Sequence, residues 1–466
     1  MNNFFRNKAL RLTVIFALLT VSTAFGQTPT RPLLQPITVQ TKTPQPTTNQ
    51  PQPASTPLVT KTGSSMPVVA RKTSFPALAD VEIPGYSGVL VESVEGSVVL
   101  DSYSTLPFNP ASNVKVATAY AVLKTFGPDY RFPTSVWTDG QIDQTTGTLY
   151  GNLYFSGRDP MFSLEHGVAV AQELNRLGIR TVSGDLIVTD NFAMSYSTVA
   201  QRSGATLLAT MDGAKRSAAA SRAWQNYLVS SKKAAQGITI PSVSTTGGVY
   251  VQALPTNARL LFSHESAPMR EILKVTLCYS NNFLAERLGD MLGGPYAVAR
   301  TVQLGGQIPP EEFYIQTSSG LGINRVTPRA MMKLLRALRT ELARNKLNFT
   351  DIMPVAGIDK GTLAGRFDTD FARGSVVGKT GTLGQTDSGV SSLSGEIQTK
   401  NGKLLFVIFN QKGGVQRFRA FQNSFVSLIQ GQMGGASPMP YVEIPLDVRM
   451  ANTRITYPDT RARINE

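Results

Sequence analysis

The chain has 466 residues, of which 41% are hydrophobic and 16% are charged, a composition typical of a globular protein with a sizeable core. A single cysteine excludes an intramolecular disulfide, and with only two histidines, His166 and His264, a Cys/His zinc site or a Ser-His-Asp hydrolase is disfavoured. The net charge of +14 favours an anionic partner such as nucleic acid, a membrane surface or an anionic polymer, unless it serves only solubility.

The N-terminal part of the chain is organised like that of an exported protein. A basic region precedes an apolar run at residues 12–21, which is too short to cross a bilayer. We therefore expect residues 1–26 to be a secretory signal peptide, with an uncleaved anchor as the alternative, and a periplasmic or otherwise extracytoplasmic protein in both cases. Residues 27–74 are rich in Pro, Thr and Gln and are expected to form a linker.

From residue 75 onwards, the sequence contains both strand and helix patterns, and they do not follow the regular alternation of βαβ units. Two β-rich runs around Glu95-Gly96 predict a hairpin, and a helical pattern opens at Asn109 and stops at Gly127-Pro128. Residues 140–264 are typical of a separate β-rich unit. Its expected strands are Tyr150–Ser156, Gly184–Val188 and Gly247–Ala253.

The second half of the chain continues this mixture. Met269–Leu292 predicts two helices separated by a polar run at residues 280–282, and Thr327-Pro328 supplies the N-cap and first turn of another helix. Further strands are expected at 375–379, 390–397 and 404–409, the last two joined as a hairpin through Asn401-Gly402, and a closing helix at 416–429. We therefore predict an α+β fold in which one antiparallel sheet is covered by helices. The basic tail, residues 436–466, either adds a strand near Tyr441–Ile444 or stays loose.

Three short motifs stand in one order along this chain. They are Ser112-x-x-Lys115 at a helix start, Ser280-x-Asn282 in the break between two helices, and Lys379-Thr380-Gly381-Thr382 at a strand end. Each alone has an ordinary structural explanation, as a helix cap, a turn or a strand end. Together they are typical of penicillin-recognising serine enzymes, so we expect all three to face one groove.

The first two motifs suit acyl transfer that needs no histidine. Residues three apart share one face of a helix, so a neutral Lys115 can take the proton of the Ser112 hydroxyl. Burial and a neighbouring positive charge, which Lys379 could supply, would lower the lysine pKa. Ser280 can relay a proton towards the leaving amine, and Asn282 can hold Lys115 or the substrate amide.

The third motif suits substrate binding. Lys379 and Thr380 offer a cation and a hydroxyl to a substrate carboxylate, and Gly381 leaves room for an extended peptide along the strand edge. The oxyanion would lie between the backbone N–H groups of Ser112 and Thr382.

With these motifs, the chain resembles the D-alanyl-D-alanine carboxypeptidase/endopeptidase family, the class C low-molecular-mass penicillin-binding proteins. The resemblance covers roughly residues 75–432. Other matching segments are Asn109-Pro110-Ala111-Ser112, Gly151-Asn152-Leu153-Tyr154, Gly157-Arg158-Asp159-Pro160, Gly184-Asp185-Leu186, Asn324-Arg325-Val326-Thr327-Pro328 and Gly361-Thr362-Leu363. Where the family often has D-G-S-G-L-S, residues 317–322 lack the acidic residue and the last serine.

The resemblance implies a penicillin-binding-protein/serine β-lactamase-like transpeptidase domain, formed by residues 75–139 and 265–435. Residues 140–264 would be an inserted β-rich domain. The resemblance also assigns roles to the motif residues. The nucleophile would be Ser112, the base Lys115, the second motif Ser280 and Asn282, the carboxylate-binding group Lys379, Thr380 and Gly381, and the oxyanion donor Thr382.

The leading prediction is a serine D-Ala-D-Ala carboxypeptidase, and possible D,D-endopeptidase activity stays open. It would act on peptidoglycan stem peptides through an acyl-serine intermediate, and β-lactams would acylate it. No metal or organic cofactor, no nucleic acid and no stable membrane span after signal cleavage are expected.

One alternative is a β-lactamase or esterase on the same fold, although no E-x-x-L-N sequence lies between Ser280 and Lys379. The other is a noncatalytic wall-binding protein, suggested by the altered run at 317–322.

Overall fold

The computed structural model describes residues 71–233 and 240–458. The predicted signal peptide, most of the predicted linker and the end of the tail lie outside these residues. The strands are β1 Lys72–Thr73, β2 Tyr86–Ser93, β3 Val98–Ser102, β4 Pro133–Thr138, β5 Gln141–Asp143, β6 Thr148–Tyr150, β7 Leu153–Gly157, β8 Thr181–Val182, β9 Leu186–Val188, β10 Ser244–Thr245, β11 Val249–Val251, β12 Arg259–Glu265, β13 Phe313–Tyr314, β14 Arg325–Val326, β15 Val376–Leu383, β16 Val390–Thr399, β17 Gly402–Gln411 and β18 Arg454–Thr456.

Helices connect and cover these strands. They are α1 Pro76–Ala79, α2 Val114–Phe126, α3 Leu164–Arg176, α4 Ala200–Met211, α5 Ala218–Ser230, α6 Met269–Cys278, α7 Asn282–Met291, α8 Pro295–Gly306, α9 Pro328–Arg344, α10 Phe349–Ile352, α11 Val415–Gln432 and α12 Leu446–Met450. Short 3₁₀ turns lie at Ala111–Asn113, Pro310–Glu312 and Thr386–Ser388. Within the described residues, no helix is long and apolar enough to span a bilayer.

The first sheet is antiparallel throughout, in the order β1-β3-β2-β17-β16-β15. The two predicted hairpins, β2–β3 and β16–β17, supply four of its strands. Successive side chains of a strand point to opposite faces, and β17 is apolar on both. Leu405, Val407 and Phe409 join one core cluster, whereas Leu404, Phe406 and Ile408 join another. This sheet therefore needs helices on both of its faces.

Helices α2 and α9 contribute to the core on one face, and α11 packs on the other. Thr327 caps α9 by accepting the Ala330 N–H, with Pro328 in the first turn, as the sequence predicted. The apolar stripe of α9 is buried, namely Met331, Leu334, Leu335, Leu338 and Leu342. Helix α2 is buried from Val114 to Leu123, so it runs through the protein interior. The predicted α+β fold, an antiparallel sheet flanked by helices, is confirmed.

A second region contains the sheets β11-β9-β7-β4-β12-β18 and β10-β8-β6-β5, around a separate hydrophobic cluster. This region also contains three helices that were not predicted, α3, α4 and α5, so residues 140–264 are not simply β-rich. The helical signal was present, because Val170 and Leu174 lie four residues apart on the buried face of α3. Short strand signals on both sides obscured it.

The ends of this second region extend beyond the predicted limits of 140–264. Strand β4 precedes residue 140 and pairs with β7 and β12. The basic tail also contributes, since Ile455 of β18 pairs with His264 of β12. Of the two alternatives for Tyr441–Ile444, a strand or a loose segment, the structure shows no strand, and the Tyr441 hydroxyl donates to Asp359 Oδ1 at 2.7 Å. The domain boundaries themselves stay a prediction.

Candidate active site

The first motif lies where a short 3₁₀ turn runs into α2. Ala111 has a φ of 47°, a left-handed conformation that costs a non-glycine residue about 1–3 kcal/mol. The turn presents Ser112 at the N-terminal end of the buried helix. One helical turn on, Lys115 Nζ lies 3.0 Å from Ser112 Oγ. The predicted pairing of these two side chains is therefore present.

The second motif lies in the break between α6 and α7. Ser280 has a φ of 54°, and Asn281 caps α7 by accepting the Leu284 N–H at 3.0 Å. This sharp turn sends the side chains of Ser280 and Asn282 to two different lysines. Asn282 Oδ1 accepts a hydrogen bond from Lys115 Nζ at 2.7 Å, and Ser280 Oγ accepts one from Lys379 Nζ at 2.9 Å. Both lysines are thus tied to one turn.

The third motif lies on β15, the edge strand of the first sheet. Lys379 is 0% exposed and also donates to the Thr380 carbonyl oxygen at 2.7 Å. Gly381 packs directly against the nucleophile turn. A Cβ at this position would lie 2.6 Å from the Pro110 carbonyl oxygen and 2.9 Å from the Ser112 nitrogen. Only glycine lets the strand approach Ser112 this closely.

A buried amide network joins the nucleophile turn to the neighbouring strand β16. Asn113 Nδ2 donates to Ser392 Oγ at 2.6 Å, and the Ser394 hydroxyl donates to Asn113 Oδ1 at 2.5 Å. Ser392 in turn donates to the Pro110 carbonyl oxygen at 2.6 Å. Because these groups are buried and mutually bonded, they hold Ser112 in register with β15 and β16.

The Lys115 ammonium is destabilised by its surroundings. Burial lowers the pKa of Lys115 to about 7, and the Glu286 carboxylate opposes that shift. Burial and a positive charge from Lys379 were both predicted to lower the pKa of Lys115, and burial is the main cause. Burial and the charge of Lys115 also lower the pKa of Lys379 well below its ordinary value. At neutral pH a substantial share of Lys115 is uncharged.

The altered run at 317–322 lies in this same site. The Ser319 carbonyl oxygen accepts a hydrogen bond from Lys115 Nζ at 2.7 Å. The backbone N–H groups of Ser318 and Ser319 donate to the Glu286 carboxylate at 3.1 and 2.9 Å. Gly320 has a φ of 88°, and its position would bring a Cβ to 2.0 Å from the Ala111 carbonyl oxygen. The run therefore supports Lys115 although it lacks an acidic residue of its own.

Glu286 was not among the residues predicted for this site. A signal for it existed, because Glu286 lies four residues after Asn282 on α7, and residues at that spacing share a helix face. Its carboxylate orients the 317–322 run and raises the pKa of Lys115.

The motifs meet at a cavity of about 780 Å³. The motif residues that line it are Ser112, Ser280, Asn282, Thr380, Gly381 and Thr382. Lys115 and Lys379 lie behind this wall, with 1% and 0% of their surface exposed. Helix α11 and the segment before β15 form the other side, where Arg366 and Arg419 line the cavity. The arrangement offers a hydroxyl to a bound ligand and keeps two amines out of bulk water behind it.

Residues 71–233 and 240–458 hold no group of three or more His, Cys, Asp or Glu side chains that could bind a metal ion. The single cysteine, Cys278, is buried, which raises the pKa of its thiol to about 12.

Comparison with known proteins agrees with this geometry. The family model described as the D-Ala-D-Ala carboxypeptidase 3 (S13) family matches residues 76–204 and 209–430. The chain belongs to this family. It is therefore a serine-type D-Ala-D-Ala carboxypeptidase, and the family predicted from the motifs is confirmed.

Individual relatives span most of the chain. A D-alanyl-D-alanine carboxypeptidase of Actinomadura sp. (strain R39) is 27% identical over 425 residues, covering 69% of this chain and 77% of the relative. The structure of a predatory peptidoglycan endopeptidase from Bdellovibrio bacteriovorus is 22% identical with a TM-score of 0.66, covering 81% of this chain and 100% of that one. A penicillin G acylated predatory endopeptidase from the same organism has the same score and identity and covers 80% and 99%. These structures share the fold.

Proposed function

We propose that Ser112 is the acylated nucleophile of this carboxypeptidase and that Lys115 is its general base. The observation that carries this is the set of three contacts around Lys115 Nζ. Two of its partners, Asn282 Oδ1 and the Ser319 carbonyl oxygen, can only accept hydrogen bonds. A neutral amine donates one N–H to each of these two acceptors. Its lone pair is then free to accept the proton of the Ser112 hydroxyl, whose oxygen lies 3.0 Å from Nζ.

In the acylation step, Ser112 Oγ attacks the carbonyl carbon of the penultimate D-Ala while its proton moves to Lys115. The C–N bond to the terminal D-Ala then breaks, and the proton held by Lys115 passes through the Ser280 hydroxyl, which is hydrogen-bonded to Lys379, to the leaving nitrogen, so Lys115 is neutral again. The backbone N–H groups of Ser112 and Thr382 would bind the oxyanion. In deacylation, neutral Lys115 takes a proton from the water that attacks the acyl carbon and passes it to Ser112 Oγ as the ester bond breaks, which releases the shortened peptide.

The substrate follows from the family and from the cavity. We propose stem peptides of peptidoglycan, with the extended peptide lying along the edge of β15. D,D-endopeptidase activity on D-Ala crosslinks uses the same groups, since only the leaving amine changes. An extracytoplasmic location accords with this substrate and with the net charge of +14, which suits anionic wall polymers.

Acylation by a β-lactam tests the nucleophile directly. Purified protein should be labelled by a fluorescent penicillin, as expected from the penicillin G acylated neighbour. The Ser112→Ala variant should show no label, and Ser97→Ala, which removes an exposed serine in the turn between β2 and β3, should be labelled normally. Unchanged labelling of Ser112→Ala would refute the assignment.

Mass spectrometry of muropeptides tests the reaction. Incubation should remove one alanine from pentapeptide stems, which is the carboxypeptidase outcome. Conversion of crosslinked dimers to monomers would demonstrate endopeptidase activity in addition. Neither change with wild-type protein, in a preparation that penicillin does label, would contradict the proposed substrate.

A further inference from the structure

The cavity beside Ser112 has an unbalanced charge. Among the described residues that line it, Arg366 and Arg419 are the only charged side chains, and there is no carboxylate. The lysine expected to bind a substrate carboxylate, Lys379, is fully buried behind the wall and is hydrogen-bonded to Ser280 and the Thr380 carbonyl oxygen. Exposed positive charge in the cavity therefore comes from the two arginines.

Arg366 is held in place by neutral groups. Its Nε donates to Asn423 Oδ1 at 2.8 Å, and its Nη2 donates to Gln422 Oε1 at 3.1 Å. Within residues 71–233 and 240–458 it forms no ion pair at the usual distance, although such partners are what a half-buried guanidinium normally has. Burial and the charge of Arg419 together lower the pKa of Arg366 to about 10, so it remains cationic at neutral pH.

Arg419 contacts the third motif. Its Nη2 donates to Thr382 Oγ1 at 3.0 Å. A threonine hydroxyl that accepts from a guanidinium keeps its own proton for another acceptor. Thr382 lines the cavity next to Gly381, so this proton is available to a bound ligand. Arg419, like Arg366, has no carboxylate partner among the described residues.

We propose that Arg366 and Arg419 form the carboxylate subsite of the cavity and bind the C-terminal carboxylate of the peptide that Ser112 attacks. Two neighbouring guanidinium groups without an acidic partner repel each other until an anion lies between them. The ligand class is a peptide with a free C-terminal carboxylate, to which the hydroxyl groups of Thr380 and Thr382 would also donate. The inference rests on the proposed function, because it names what the same site recognises.

The test compares two blocked tripeptides ending in D-Ala-D-Ala, one with a free C-terminal carboxylate and one with a C-terminal carboxamide. Binding is measured by calorimetry in the Ser112→Ala background, alone and combined with Arg419→Ala, Arg419→Lys or Arg366→Gln. The matched control is Arg417→Ala, on the same helix, whose guanidinium pairs with the exposed Glu82 at 3.3 Å and does not line the cavity. Thermal melting verifies that each variant folds.

We expect the free acid to bind about 10- to 100-fold more tightly than the amide, the range for a hydrogen bond to a charged group. Arg419→Ala should remove most of that preference, Arg366→Gln part of it, and Arg419→Lys should keep part. Arg417→Ala should leave it unchanged. In the active enzyme, Arg419→Ala should raise KM for the free acid more than it lowers kcat.

The outcomes separate this inference from the proposed function. If the wild-type enzyme hydrolyses the free acid but Arg419→Ala weakens both peptides equally, the carboxylate subsite is wrong and the peptidase stands. If neither peptide is hydrolysed yet the acid-over-amide preference disappears with Arg419→Ala, the subsite stands and the proposed reaction fails. No preference for the acid in the Ser112→Ala protein overturns the inference.

Discussion

Two buried clusters of basic groups lie in the two halves of this fold, and they differ in how their polar atoms are satisfied. In the first, Lys115 and Lys379 are buried behind the cavity wall, and each amine has hydrogen-bond partners. In the second, His166 and His264 have ring centroids 4.9 Å apart. Neither nitrogen of His264 has a hydrogen-bond partner among the described residues.

Burial lowers the pKa of a base in both places. Only in the first cluster does a base with a lowered pKa, Lys115, contact a hydroxyl, that of Ser112, which lines a cavity. The histidine cluster instead packs against Phe162 and does not line that cavity. A lowered pKa is thus a consequence of burial in general, and chemistry additionally requires a partner within reach. The predictions below test this difference.

The largest expected effect is that of Lys115→Met, which keeps the shape of the side chain and removes the amine. Acylation by penicillin should slow by about 10²- to 10⁴-fold, the usual contribution of a general base. Stopped-flow or gel-based acylation kinetics measure it. Lys124→Met on the same helix is the matched control, because Lys124 is exposed and pairs with Glu341 at 3.2 Å. Wild-type acylation rates in Lys115→Met would show that another group takes the proton.

The acylation rate should also depend on pH. Because the pKa of Lys115 is about 7, the fraction of neutral base, and with it kcat/KM, should rise as the pH increases through about 7. The Glu286 carboxylate holds that pKa up, so Glu286→Gln should move the midpoint to lower pH. A profile measured from pH 5.5 to 9 decides this. A midpoint that stays in place or moves upward in Glu286→Gln would contradict the electrostatic account of Lys115.

The sequence predicted the first of these clusters well because its chemistry is local. Ser112 and Lys115 share a helical turn, and the Asn-Gly turn before β17 and the Thr327 cap of α9 are short-range signals. The meeting of Ser280 with Lys379 needs the whole fold, and it was expected only because the three motifs occur together in one order, not from any local pattern. Glu286 and the two cavity arginines were not predicted from the sequence, because their roles depend on which helix face and which loop lie close together in the fold.

The second cluster was beyond sequence reasoning for a related reason. His166 lies in α3, which was not predicted, and His264 lies on β12, so their contact is a tertiary one. The three helices between residues 164 and 230 were also not predicted, because local sequence patterns alone did not identify them. Short β-rich runs on both sides dominated the local signal, and packing onto the second sheet decided the outcome.

A smaller effect is expected from Gly381→Ala, which tests how tightly the first cluster is assembled. The added Cβ would lie 2.2 Å from Ser392 Oγ and 2.9 Å from the Ser112 nitrogen, so β15 must move away from the nucleophile. We expect acylation to slow by about tenfold or more, with a loss of about 1–3 kcal/mol in the free energy of unfolding. Gly384→Ala is the control, because nothing lies within 4 Å of a Cβ there. Equal behaviour of the two variants would refute the close-approach argument.

The smallest expected effect concerns the histidine cluster and affects stability, not activity. Burial lowers the pKa of His264 well below its ordinary value of 6.5, so the fold favours the neutral ring. That contribution to stability is complete above about pH 6.5 and is lost as the pH falls below it. The nearby Asp159 acts oppositely: burial raises its pKa to about 6, and its contribution is lost as the pH rises from about 4 to about 6.

His264→Phe separates these two contributions, because it removes two unpaired nitrogens and leaves Asp159 in place. Urea unfolding of the wild type and the variant at pH 7.5 and 5.5 should show a smaller acid-induced loss of stability in His264→Phe, by about 1 kcal/mol. Penicillin acylation at pH 7.5 should not change, since this ring does not line the cavity. If both proteins lose the same stability on acidification, the buried ring is not the acid-sensitive group. If acylation slows instead, the two clusters are coupled, and the histidine cluster is not separate from the chemistry at Ser112.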